Sequence, residues 1–183
     1  VNVGILQLAK SVATAGIVNG TITIGDDVGG SDADVIREMG ANQINSAVPI
    51  TINSSGLLDL NNFNDAIGTL TFSGGHLSSG TGIAILTGNV TANSNTNNQA
   101  RIDGNVSMSL TRTFDTVGHF FSPDMKMDAA ISGAGGIIKN GLGERSLTAA
   151  NSFSGLVTLN DGIVEVDNSF ALGATASGTG VNS

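Results

Sequence analysis

The sequence predicts an all-β chain wound as a parallel β-solenoid, and three observations lead there. The pattern glycine, any residue, apolar, any residue, apolar occurs nine times, starting at Gly4, Gly20, Gly56, Gly68, Gly82, Gly88, Gly104, Gly155 and Gly162. Side chains of an extended strand alternate between faces, so the second and fourth residues after each glycine point the same way, and each cassette reads as one short half-buried strand. Apolar residues make up 40% of the chain but aromatics only 4%, beside 26 glycines. A core of small and branched aliphatics suits a narrow stacked interior better than a wide globule. The competing β-sandwich expects regular hairpin turns between strands of equal length. Asn-Gly turns occur only at Asn19-Gly20 and Asn140-Gly141.

Taken in order, the cassettes at Gly4 and Gly20 give the first strands. The stretch after them is ambiguous. Ser31 can cap a helical turn, with Val35, Ile36 and Met39 on one face and Gly40 to stop it, which makes a single short helix over 32–39 one expectation. A strand through Asp34-Val35-Ile36-Arg37 is the other, favoured by the Val-Ile pair. Strands resume at Ile50–Leu60 and Gly68–Phe72, separated by turns such as Asn61–Asp65 and Ser73-Gly74-Gly75, whose residues tolerate left-handed backbone angles and bond their own main chain. After Gly82 and Gly88, the run Asn93–Gln99 has no apolar residue and is expected to be an exposed loop. At roughly 20 residues per coil, the chain amounts to about eight or nine coils.

The first residues return at the end. Val1–Ser11 lie without a gap over Leu159–Ser169, Gly4 falling on Gly162 at an offset of 158 residues. Residues 1–183 therefore read as a single solenoid segment, slightly more than one module of a longer tandem array. The lack of a starting Met agrees with an excised or mature piece.

Seven basic against 15 acidic residues give a formal charge of −8, which excludes the electrostatic footprint of a nucleic-acid binder. No stretch approaches the roughly 20 apolar residues of a membrane helix, so direct membrane insertion by this segment is not expected. Without cysteine there are no disulfides and no thiolate metal sites.

Candidate chemistry is sparse. Asp26, Asp27, Asp32 and Asp34 place four carboxylates within nine residues, the oxygen donors that Ca²⁺ takes, but their spacing matches no known calcium loop and a solvated acidic turn is the preferred reading. Cleavage of uronate polymers by paired acids needs clustered bases to hold the substrate. The seven basic residues Lys10, Arg37, Arg101, Arg112, Lys126, Lys139 and Arg145 are dispersed. His76 and His119 stand alone, and lone histidines serve more often as packing or surface residues than as catalysts. No catalytic, cofactor-binding or metal-binding residue is assigned, and no cofactor is expected.

The C-terminal third carries a resemblance. Gly133-Ala134-Gly135-Gly136-Ile137-Ile138-Lys139-Asn140-Gly141-Leu142-Gly143, then Asn151-Ser152-Phe153-Ser154-Gly155, Gly162-Ile163-Val164-Glu165-Val166 and Ala171-Leu172-Gly173 resemble the autotransporter-associated β-strand repeat, also called the passenger-associated transport repeat. That family reads Gly-Gly-apolar-x-Lys-x-Gly-x-Gly, then Asn-x-Tyr-x-Gly, Gly-x-Leu-x-Val and Ala-Leu-Gly. Residues 133–173 match best, and Phe153 stands in place of the usual Tyr. Arg145 falls where the family has an apolar residue. Since an unpaired Arg is costly to bury, either the strand entry is frayed or Arg145 pairs with Glu144 or another acid.

The resemblance implies a right-handed parallel β-helix, exported to the bacterial surface or released from it. The leading functional expectation is a non-catalytic structural module, a stalk, spacer or fibre-forming repeat that stacks on neighbouring copies through open solenoid ends. The alternative is an adhesive or ligand-binding segment that presents loops such as 93–99 and 112–128 to surface glycans or other cells. A polysaccharide-active enzyme ranks third.

Overall fold

The computed structural model describes residues 3–11, 20–118, 120–174 and 178–181. His119, Ala13, Asn19, and Val1 and Asn2 of the internal match lie outside the described residues. The first coils carry β1 (Gly4–Leu8), β2 (Ile22–Ile24), β3 (Asp34–Glu38) and β4 (Ile50–Asn53). The middle coils carry three strands each: β5 (Gly56–Asp59), β6 (Asp65–Ile67) and β7 (Leu70–Ser73), then β8 (His76–Ser78), β9 (Ala84–Leu86) and β10 (Val90–Asn93). They continue with β11 (Ala100–Asp103), β12 (Asn105–Ser107) and β13 (Arg112–Thr116), followed by β14 (Met125–Met127), β15 (Ala130–Ser132) and β16 (Ile137–Asn140). The last are β17 (Glu144–Leu147), β18 (Val157–Leu159), β19 (Ile163–Val166) and β20 (Thr179–Val181).

These strands stack into three parallel sheets. The first runs β1-β3-β5-β8-β11-β14-β17-β19, the second β2-β4-β7-β10-β13-β16-β18-β20, and the third β6-β9-β12-β15. A chain that returns to the same sheet once per coil, always parallel, is a β-solenoid. The minimal coil is 19 or 20 residues, as from Leu57 to His76 and from Leu70 to Val90.

Among the described residues there is no helix, which corrects the expectation over 32–39. Ser31 and Asp32 form a turn, Asp32 at a φ of 60°, and the chain then enters β3. There it pairs with β1 on one side and β5 on the other, Ile36 lying between Leu6 and Leu58. Two flanking strands supply the backbone partners that an isolated helical turn of about eight residues could not match.

The cassette alternation holds through the interior. Ile22, Ile50, Leu70, Val90 and Phe114 form one inward column of the second sheet, and Ile24, Ile52, Phe72 and Ala92 form the next. All nine are buried in one continuous apolar core. The cassette glycines serve a different purpose from the one their position before a strand suggests. Only Gly104 and Gly162 of the nine have positive φ. At Gly68 and Gly88 crowding decides, because a Cβ at Gly88 would meet the main chain of Gly68 and Thr69 in the coil beside it.

Two inward columns are broken by cations. Lys139 follows Phe114 in the second sheet, and Arg145 follows Met125 in the first. Both are fully buried. Lys139 Nζ donates to the carbonyls of Asn140 (2.7 Å), Gly141 (2.6 Å) and Asp161 (3.2 Å), while burial and then the charge of Arg145 bring its pKa down to about 8. Arg145 corrects both expectations for it: its strand is regularly paired to β14 and β19, and none of its three nitrogens has a hydrogen-bond partner. Its guanidinium lies 3.9 Å from the ring centroid of Phe114, and burial lowers its pKa to about 9.

Candidate functional site

The site follows from where the coils exceed their minimum. Every passage from the second sheet to the first turns the same corner of the solenoid. Four passages use two or three residues: 54–55, 74–75, 141–143 and 160–162. Three are longer, at 25–33, 94–99 and 117–124. Because the coils are in register, these insertions project from one flank, and insertions on one face of a repeat protein are where binding surfaces tend to be built.

Between the first two insertions lie two coils with short corners. The result is a groove with Ser54 and Gly74-Gly75 in its floor and the loops 25–33 and 94–99 as walls. It divides into cavities of about 420 Å³ and about 290 Å³ that share Ser31 and Asn98. Asp27, Thr96 and Asn97 line the larger part, and His76, Gln99, Arg101 and Phe121 line the smaller.

Hydrogen bonds through the floor hold the walls. Asp27 Oδ1 accepts from Ser54 N (3.0 Å), Ser54 Oγ (2.7 Å) and Asn95 Nδ2 (3.2 Å). Asn98 Nδ2 donates to the Ser54 carbonyl at 2.9 Å. Asn95 closes its own loop by accepting from Asn97 N (2.9 Å) and Asn98 N (3.1 Å). The loop expected over 93–99 is thus only partly exposed: Asn93 ends β10, Ser94 is buried, and Thr96 and Asn97 form its exposed tip. Ser94 Oγ donates to the buried Asp124 at 2.7 Å, which ties this loop to the third insertion.

The four acidic residues near the N-terminus are separated by their own partners. Asp26 accepts from Val28 N at 3.0 Å, and Asp27 is bound in the floor. Asp34 accepts from Ser55 Oγ (2.7 Å) and Val3 N (3.0 Å). The Ser55 bond, working against burial, brings its pKa below the ordinary carboxylate value. Asp32 instead faces His76. Among the described residues no group of three or more His, Asp or Glu is arranged to hold a metal ion.

His76 sits in a clamp that one-dimensional reading does not reveal. Its Nδ1 lies 3.1 Å from Asp32 and its Nε2 2.9 Å from Asp103, residues 44 and 27 positions away. Burial disfavours the imidazolium, but the bonds to Asp103 and Asp32 and their charges outweigh it, raising the pKa to about 9. With both nitrogens committed to carboxylates, the charged ring has no lone pair with which to act as a base. The stack extends the clamp outward, since His76, Arg101 and Lys126 are successive partners. Arg101 bonds Asp103 (2.9 Å) and Asp128 (3.3 Å), and Lys126 approaches Asp128 at 3.4 Å. Three of the seven dispersed basic residues, Arg37, Arg101 and Lys126, thus lie on this sheet, each beside a carboxylate.

No protein-family model, curated protein or solved structure matches this chain.

Proposed function

We propose that this chain is a non-catalytic structural module, a stalk or spacer in an exported bacterial surface protein that stacks end to end with like modules. The observation that carries the reading is the position of the two matching stretches. The offset of 158 residues places Gly4-Ile5-Leu6-Gln7-Leu8 on Gly162-Ile163-Val164-Glu165-Val166, and the corresponding strands β1 and β19 are the two outermost strands of the same sheet. The match thus returns to the same sheet and the same face, although the ladder carries Leu6 to Val166 and not to Val164, a shift of two residues along the strand. Successive modules can continue the same sheets with that shift taken up between them.

The outer strands suit such contact. Leu6 and Val166 end one inward column of the first sheet and are each 48% exposed, whereas Leu58, Leu77, Ile102 and Met127 inside that column are wholly buried. Strand edges with free main-chain donors and acceptors pair with other edges. Export rests on the resemblance of residues 133–173. The clamped His76 and the internally bonded acids favour a structural role over hydrolysis.

Sedimentation and electron microscopy of the purified chain over rising concentration provide the test. Unbranched rods one solenoid wide are expected, with Val166→Lys shifting the equilibrium to single copies. A chain that remains single at millimolar concentration, or rods that Val166→Lys leaves unchanged, would overturn the stacking. Export is tested separately by labelling intact cells of the source bacterium with an antibody to the chain, and labelling only after permeabilisation would overturn that part.

A further inference from the structure

We infer that the corner groove is a binding site for an uncharged oligosaccharide. This goes beyond the stacking role and does not depend on it, because the groove lies on the flank of the solenoid and not at its ends.

The first argument is form. The groove exists because two insertions 60 residues apart in the chain flank two coils that have none. Its larger compartment, about 420 Å³, falls within the usual range for a ligand site, roughly 300–1,000 Å³, and the smaller, about 290 Å³, just below it. The two compartments meet at Ser31 and Asn98, and bonds from Asn95 and Asn97 to Asp27 join the walls; two adjoining compartments offer room for successive units of a chain molecule. The hydrogen bonds from Ser54 to Asp27 and from Asn98 to Ser54 fix the walls before anything binds. A prearranged site loses less conformational entropy on binding.

The second argument is chemistry. Hydroxyls and amides dominate the lining: Ser31, Ser54, Thr96, Asn97, Asn98 and Gln99. Ser54, Asn97 and Asn98 give their donors to Asp27 and Ser54, so the polar groups offered to a ligand are Ser31, Thr96 and Gln99 together with the side-chain oxygens of Asn97 and Asn98; hydroxyl and amide groups of this kind match sugar hydroxyls. At the far end stands Phe121, 39% exposed and next to Phe120 at 59%. Phe72, Phe114 and Phe153, by contrast, are wholly buried. An aromatic ring left at the rim of a polar trough offers a flat apolar face to the C–H face of a pyranose.

The third argument is charge. Arg101 and His76 border the smaller compartment, but each is paired with carboxylates, Arg101 to Asp103 and Asp128 and His76 to Asp32 and Asp103. Among the described lining residues no cation is without a carboxylate partner to spare for a uronate or sulfate, and the net charge of −8 repels polyanions at long range. An uncharged glycan is the class that fits both the lining and the field.

The experiment is titration of the folded chain by calorimetry and by amide NMR against neutral gluco-, manno-, galacto- and N-acetylglucosamine oligosaccharides. Polygalacturonate, hyaluronate and a random peptide pool serve as comparators. The expected result is saturable binding of at least one neutral oligosaccharide, with shifted amides at 96–99 and 31. Ser31→Trp, which fills the junction of the compartments, should weaken it by about tenfold or more, and Phe121→Ala severalfold. Both positions are exposed, and unchanged melting of each variant confirms the fold. Four results would each overturn the proposal: no neutral sugar binds, shifts map elsewhere, neither substitution weakens binding, or a polyanion or peptide is preferred. None of these outcomes bears on end-to-end stacking.

Discussion

Replacing Arg145 with Met is expected to stabilise this protein. Arg145 is wholly buried, lies in a column with Met125, and has no hydrogen-bond partner for any guanidinium nitrogen. Burial lowers its pKa from the ordinary guanidinium value to about 9, and at about 1.4 kcal/mol per unit this corresponds to a penalty on the order of 5 kcal/mol for keeping the charge inside at neutral pH. The contact with Phe114 at 3.9 Å returns a part, about 2 kcal/mol for a desolvated cation–π pair. Met has a similar length, is flexible and keeps a favourable contact with the ring. A net gain of about 1–4 kcal/mol follows, the range seen when buried charges give way to packed apolar residues.

The pH dependence makes the reasoning specific. Arg145 binds its proton less tightly in the folded state, so above about pH 9 and up to the ordinary guanidinium range the unfolded chain holds more protons, and stability rises with pH. The penalty is therefore complete below pH 9, and the advantage of Arg145→Met should shrink above it. Urea unfolding followed by circular dichroism at pH 7 and pH 10 measures both effects. Arg145→Ala is the control, since it removes the charge but leaves a cavity. A Met variant less stable than the parent by more than about 1 kcal/mol would refute the account, because only a hidden partner for the guanidinium could produce that loss.

Three further outcomes are expected. His76 should titrate near pH 9 by NMR. Since its folded pKa is raised, the clamp contributes stability fully below about pH 6.5 and loses it as pH rises through 9, on the order of 3 kcal/mol in all; a midpoint near 6.5 would show that the clamp does not form. Glu38 is buried with both oxygens unpartnered, and burial, then Asp65, raises its pKa from 4.5 to about 10. Glu38→Gln should therefore be neutral at pH 4 and stabilising by at least about 1 kcal/mol at pH 7, and an equal effect at both pH values would contradict a protonated buried acid. Finally, Gly88→Ala should destabilise by more than about 2 kcal/mol, whereas Gly20→Ala, with open space around the glycine, should change melting little; equal effects would mean that coil-to-coil crowding is not what selects glycine.

Much of the fold was legible in one dimension because the solenoid is nearly one-dimensional itself. Each coil packs on its neighbours, so local alternation such as Leu70-Thr71-Phe72 already states which side chains enter the core. The ambiguity at 32–39 was physical: Val35 and Ile36 suit either element locally, and only the edges of β1 and β5 on both sides decide for a strand. Arg145 was misjudged for a related reason. The sequence rule against burying an unpaired cation takes no account of an aromatic ring that comes from a coil 31 residues earlier.

The groove was legible only in part. Asn93–Gln99 was recognisable as a loop, and the 20-residue step from Gly68 to Gly88 sets a minimal coil against which longer coils reveal insertions. What that count omits is the corner on which each insertion falls. Composition and period-two patterning determined the narrow aliphatic core, the short strands and the parallel winding, because those depend on contacts repeated at every coil. Only the stacked structure decided that loops 25–33, 94–99 and 117–124 share a flank and that His76 meets Asp32 and Asp103. Those contacts occur once, between residues whose separation in the chain depends on how many coils lie between them.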